Sequence, residues 1–78
     1  MLKNLSSKEV AWILDQIGIT LKRHGKEDVF EGHYGGKRRV AIVPRNKRSI
    51  PQGTLSSIWR QAGITKEIAG TIWKKRKK

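Results

Sequence analysis

The apolar residues of this chain change their spacing twice, and neither an all-helical nor an all-strand architecture accommodates that. Val10, Ile13, Leu14 and Ile17 follow at i, i+3, i+4 and i+7, the single apolar stripe of a helix. Ser6 and Glu9 form a capping box before it, the hydroxyl and the carboxylate each taking a backbone N–H that the first turn leaves unpaired. Gly18 stands where a left-handed residue ends such a helix. The period then becomes two. Ile19 and Leu21 alternate with Thr20 and Lys22, which predicts a strand to about His24, and Gly25-Lys26 reads as its turn. Glu27 to Tyr34 gives a second strand, with Val29, Glu31 and His33 on one face and Phe30, Gly32 and Tyr34 on the other.

Gly35-Gly36 is a two-residue hairpin signal, since both positions tolerate positive φ. The third strand, Lys37 to Val43, is β-branched at Val40, Ile42 and Val43, and Pro44 ends it because proline has no N–H for a ladder. Residues 45–53 make a basic loop. Helical spacing returns near Thr54 with Leu55, Ile58, Trp59 and Ala62 and stops at Gly63. Thr65 caps a short third helix carrying Ile68, Ile72 and Trp73, while residues 1–5 read as a lead-in. The order α-β-β-β-α-α predicts an α+β fold: an antiparallel meander with helices on one face, in the order of double-stranded-RNA-binding folds, with a short extra C-terminal helix. Fold order alone assigns no function.

Seventy-eight residues make one domain, expected over 1–73, followed by a basic tail at 74–78. The chain has no cysteine, so no disulfide or thiolate site supports its small core; this fits a reducing cytoplasm, the expected location. No apolar run approaches the length of a membrane span, and the N-terminus lacks a signal-peptide core, so neither a membrane nor an export route is expected.

Charge points to the partner. Eighteen Lys and Arg face six Asp and Glu, a formal net charge of +12. A solubilising surface usually mixes both signs at net charges of roughly 2–8. An excess this large is relieved by a polyanion that releases condensed counterions, which predicts nucleic acid and above all RNA. The third strand and the basic loop supply Lys37, Arg38, Arg39, Arg45, Lys47 and Arg48, and the first hairpin adds Lys22, Arg23 and Lys26. Gathered at one end of a small sheet, these side chains would form a stripe able to follow a phosphate backbone. The tail from Lys74 to Lys78 adds non-specific attraction only.

Other residues carry weaker signals. Trp59 lies on an apolar stripe and reads as core, Trp12 lies off its helix's stripe, and Trp73 has either a sheet or a partner to pack on. The two histidines, His24 and His33, stand on different strands without a third ligand type, a poor metal site, and no cofactor is expected. His24 sits beside a glycine turn among cations, which favour its neutral form; a neutral imidazole near phosphate can act as general base on a ribose 2′-hydroxyl, although an isolated surface histidine is commonly inert. Glu27 and Asp28 are adjacent in a strand and therefore face opposite ways, unlike a paired-carboxylate site. Either is expected to neutralise Lys26 or Arg23.

Three segments carry a family resemblance: Gly18-Ile-Thr-Leu-Lys-Arg-His-Gly-Lys-Glu-Asp-Val-Phe30, then Val43-Pro-Arg-Asn, then Ile50-Pro-Gln-Gly-Thr-Leu-Ser-Ser-Ile-Trp-Arg-Gln-Ala-Gly-Ile64. Over roughly residues 7–70 the chain resembles the HicA toxins, the ribonuclease halves of bacterial and archaeal HicA–HicB toxin–antitoxin pairs. The most specific part is Gly53-Thr-Leu-x-x-Ile-x-x-Gln-Ala-Gly63 after a strand that ends in Val-Pro-Arg. The resemblance implies a double-stranded-RNA-binding-like fold, metal-independent cleavage of mRNA, growth arrest, and inhibition by a HicB antitoxin that covers the active site. It also implies a catalytic histidine at the start of the second strand, after Gly-Ser or Gly-Lys.

Gly25-Lys26 match that motif, and the histidine position falls on Glu27; His24 precedes the motif and is not its equivalent. A carboxylate can accept a 2′-hydroxyl proton, but at neutral pH it is a poor acid toward the leaving oxygen and it repels phosphate. The expected protein is therefore a HicA-type endoribonuclease weakened or inactivated at residue 27, with Lys26, Arg23 and Arg45 foremost among the phosphate contacts. The alternative is a non-catalytic module that binds RNA or an antitoxin.

Overall fold

A computed structural model describes residues 4–76. It contains α1 (Ser7–Gln16), β1 (Thr20–Arg23), β2 (Glu27–Tyr34), β3 (Lys37–Pro44), α2 (Gln52–Ala62) and α3 (Lys66–Lys74), the α+β order expected. The capping box is formed: Ser6 Oγ accepts the Glu9 N–H at 3.2 Å and Glu9 Oε1 accepts the Ser6 N–H at 2.7 Å. At the other end Gly18, with φ of +84°, donates to Asp15 O while Ile19 donates to Leu14 O. These two bonds satisfy carbonyls that the last turn leaves free and turn the chain back under the helix. The same pair recurs after α2, from Gly63 to Arg60 O and from Ile64 to Trp59 O. Both closing residues, Ile19 and Ile64, are buried.

The strands form an antiparallel meander in the order β1-β2-β3. The register pairs Glu27 with Pro44, Phe30 with Ala41 and Tyr34 with Lys37. Cross-strand partners share a face. Phe30, Ala41 and Val43 accordingly turn to the helices and enter one core with Val10, Ile13, Leu14, Leu55, Ile58, Trp59 and Ala62. Val29, Val40 and Ile42 lie half-buried on the opposite, open face. The outer edge of β3 is covered by α2, where Gln61 Oε1 accepts the Ile42 N–H at 2.9 Å. This satisfies an edge donor that an unprotected strand would offer to another chain.

Several expectations need correction. The first strand is shorter than Ile19 to His24, because Ile19 is committed to the helix-ending motif and its register slips between Leu21 and Arg23. Leu21 shares the helix-side face with its partner Phe30 but lies at the sheet's edge and stays 41% exposed. Within the lead-in, Leu5 is buried and bridges to Ile50 in the basic loop, while residues 1–3 fall outside the described residues. α2 begins at Gln52 rather than Thr54, with Pro51 as its N-cap and no side-chain cap bond. In α3, Thr65 Oγ1 accepts the Ile68 N–H, a phase that buries Ala69 and leaves Ile68 exposed, with Ile72 and Trp73 half-buried. Trp73 meets Trp12 edge-on, with ring centroids 5.9 Å apart, so the tryptophan off the α1 stripe joins α1 to α3. Lys74 is the last residue of α3, and Arg76 Cζ lies 3.8 Å from the Trp73 ring centroid; Lys77 and Lys78 fall outside the described residues.

Candidate nucleic-acid interface

The expected single stripe of cations is divided by the register of β3. Lys37 begins this strand and Pro44 ends it, roughly 23 Å apart at ~3.3 Å per residue. Lys37, Arg38 and Arg39 therefore lie beside the Gly35-Gly36 hairpin. Arg45, Lys47 and Arg48 lie at the opposite end, with Arg23, Lys26 and Glu27 of the first hairpin. Lys22 lies at the register slip of β1, between Leu21 and Arg23, and is exposed.

The Gly-Gly end is largely occupied by internal contacts. Arg38 forms an ion pair with Glu31 across the open face. This hydrogen bond holds the Glu31 carboxyl below its ordinary value of 4.5 and raises Arg38, outweighing the opposing effect of desolvation on Glu31. Arg39 faces the helices, donates from Nε to Tyr34 O at 3.0 Å and lies against Gly63, where a Cβ would come within 2.6 Å of its guanidinium. Its charge thus sits at the negative end of α2. Lys37 is exposed and is the least engaged cation of this end.

The other end is organised around Asp28. Glu27 faces the open side of the sheet and is exposed, whereas Asp28 faces the helix side and is half-buried. His24 Nδ1 lies 2.8 Å from Asp28 Oδ1, and Arg45 Nε lies 3.6 Å from the same oxygen. Arg45 Nη1 also donates to Gly25 O at 3.0 Å, closing the first hairpin against the start of the basic loop. The expectation that Asp28 would neutralise Lys26 or Arg23 is replaced by these two partners. The sequence did contain a signal for the first one, since His24 and Asp28 flank a Gly-Lys turn and are brought back alongside each other by it.

Asp28 also borders an open groove of about 470 Å³ between the start of α1, β1 and the basic loop. Leu21 and Phe30 supply its apolar wall, and Lys8, Lys47 and Arg48 its cations. Ser7 fixes the loop side: its N–H donates to Lys47 O, its Oγ accepts the Lys47 N–H at 2.9 Å, and the hydroxyl donates to Pro44 O. The arrangement therefore has an imidazole on a carboxylate, a guanidinium beside both, and a cation-rimmed groove suited to a phosphate chain.

Among the described residues no three His, Cys, Asp or Glu side chains gather as a metal site requires, and no helix is long and apolar enough to cross a membrane. No curated protein matches the chain. A family model described as HicA toxin of bacterial toxin-antitoxin systems matches residues 7–64, from the first residue of α1 to the buried isoleucine after α2. That span is well over half of the sequence and contains the first hairpin, the basic loop and the lining of the groove apart from Ser6; the chain belongs to the HicA toxin family.

Proposed function

We propose that the protein is a metal-independent endoribonuclease that cleaves mRNA, arrests growth and is neutralised by a HicB antitoxin covering its basic corner. The observation that carries this reading is the gathering of Arg45, Lys47 and Arg48 around Asp28 at the start of β2, next in the chain to Lys26 and to Glu27, on which the family's catalytic histidine position falls. Cations there would hold a phosphate next to the reacting 2′-hydroxyl. Glu27 stands at the histidine's position in the chain and cannot act as an acid toward the leaving oxygen at neutral pH, which weakens the activity.

A second reading, a non-catalytic module that binds RNA or an antitoxin, is favoured by that same carboxylate. Glu27→His separates the two. In chelator, the variant is expected to cleave unstructured RNA faster than the wild type by a factor within the ~10²–10⁴ that a positioned acid or base contributes, and to arrest growth when produced without an antitoxin. A folded Glu27→His protein that binds RNA and leaves it intact would establish the second reading. For the partner, an antitoxin that covers a basic corner needs an acidic contact surface and fast association at low salt. Bound antitoxin should displace RNA; simultaneous binding without mutual weakening would exclude this mode of inhibition.

A further inference from the structure

We infer that His24, oriented by Asp28, is the proton-transfer group with which this chain cleaves RNA. The inference rests on the ribonuclease reading above and assigns its chemistry to a residue outside the family's histidine position. The carboxylate of Asp28 can only accept, so the 2.8 Å contact requires the hydrogen on His24 Nδ1, and in the neutral ring the lone pair is then on Nε2. This is the tautomer that a general base needs, fixed by an orienting carboxylate. The imidazole is 62% exposed while the Asp28 side chain is 18% exposed, so the orienting group is sheltered and the reacting ring is open to substrate.

Arg45 completes the site. Its Nη1 is held by Gly25 O and its Nε lies against Asp28, and among the described residues no hydrogen bond engages Nη2. A phosphate bound there stands beside the imidazole, and Lys47 and Arg48 continue the cationic rim along the groove. Glu27 faces the other side of β2, so its charge is not directed into the groove. An unpaired nucleotide fits this geometry better than a duplex, because Leu21 and Phe30 offer an apolar wall to one base next to the phosphate contacts.

In the reaction, His24 Nε2 takes the 2′-hydroxyl proton, the 2′-oxygen bonds to phosphorus and the bond from phosphorus to the 5′-oxygen breaks. The imidazolium returns the proton to that oxygen through water. The products are a 2′,3′-cyclic phosphate and a 5′-hydroxyl, with no external reactant consumed. Asp28 is a positioning residue, and Arg45 is the phosphate contact.

The test follows cleavage of a fluorescent single-stranded RNA in chelator by the wild type, His24→Ala, Asp28→Asn and His33→Ala. His24→Ala is expected to lose about 10²-fold or more in kcat with unchanged RNA affinity, and added imidazole should restore part of the loss. Asp28→Asn should lose roughly tenfold or more in kcat with KM unchanged, as misorientation of a reacting group does. His33, on the open face opposite Arg38, should be replaceable without effect. A folded His24→Ala protein that cleaves at the wild-type rate, or one that imidazole does not rescue, would overturn the assignment while leaving the ribonuclease reading in place. A wild type that binds this RNA and never cleaves it would overturn both.

Discussion

Gly32 lies directly under Gly18: a Cβ on Gly32 would come within 2.1 Å of the Gly18 carbonyl oxygen and 2.8 Å of the Ile19 Cα. The backbone leaving α1 thus crosses β2 at a distance that only a residue without a side chain permits. Both close contacts are backbone atoms, so no rotamer change relieves them. Gly32→Ala should cost at least the ~1–3 kcal/mol of an overpacked core, in a domain whose size supports only about 3–5 kcal/mol in total. Circular dichroism and a urea melt should show a largely unfolded chain; a folded variant with a midpoint near wild type would mean that the crossing is looser than described.

Trp59 offers a second test of the core. Its ring is buried, and among the described residues its Nε1 has no hydrogen-bond partner. Trp59→Ala should cost roughly 3–5 kcal/mol and unfold the protein. Trp59→Phe should cost far less, because the unpartnered N–H leaves together with the indole. Urea midpoints at constant m-value measure both; equal losses for the two variants would imply that the N–H is satisfied after all.

The Arg38–Glu31 pair gives a prediction in pH. Because the Glu31 carboxyl is held below its ordinary 4.5, the pair's contribution to stability is present above that value and is lost as pH falls through the lower folded-state value. Arg38 is exposed and Glu31 only partly covered, so the effect on stability is small. Titration of Glu31 followed by NMR should give a midpoint below 4.5 in the wild type, and Arg38→Ala should move it upward. An unchanged midpoint in that variant would show that the ion pair does not persist in solution.

The two ends of β3 should differ in their share of RNA binding. Affinity for RNA should fall linearly with salt on logarithmic axes. Lys47→Ala and Arg48→Ala should each reduce that slope by about one, as loss of a phosphate contact does. Replacing Arg38, already occupied by Glu31, should change the slope less. Anisotropy titrations from low to physiological salt decide this, and a flat dependence for the wild type would exclude electrostatic binding altogether.

What could be read from the sequence was what local rules control. The capping box, the α1 stripe, the Gly35-Gly36 hairpin and the Gly63 helix end each lie within a few residues, and each formed where expected. The failures involve contacts between distant segments. Leu5 becomes core only because Ile50 returns to it, and Ile68 is exposed because α3 turns Ala69 into the core and meets α1 through Trp73 instead. The basic residues looked like one cluster because they are close in sequence, whereas an extended strand carries its two ends far apart. From the sequence Asp28 reads as a neighbour of Glu27 with Lys26 or Arg23 to neutralise; its bond to His24 depends on the turn between them, and its contact with Arg45 on the pairing of β2 with β3.

The bonds of Ser7 and the Leu5–Ile50 bridge have a consequence for how firmly a polyanion can be held. Residues 45–49 run between two fixed points, Pro44 at the end of β3 and Ile50 against Leu5, and are fastened midway at Lys47 by both a donor and an acceptor of Ser7. Freezing a free backbone costs about 1–2 kcal/mol per residue, a penalty that a floppy cationic loop would meet each time it closed on a ligand. Here that entropy is already lost when the domain folds, so the attraction between loop and phosphate is not discounted by ordering at the moment of contact. The hydroxyl of one serine at the start of α1, remote in sequence from every loop cation it organises, thereby sets how much of the loop's charge is available to hold a polyanion.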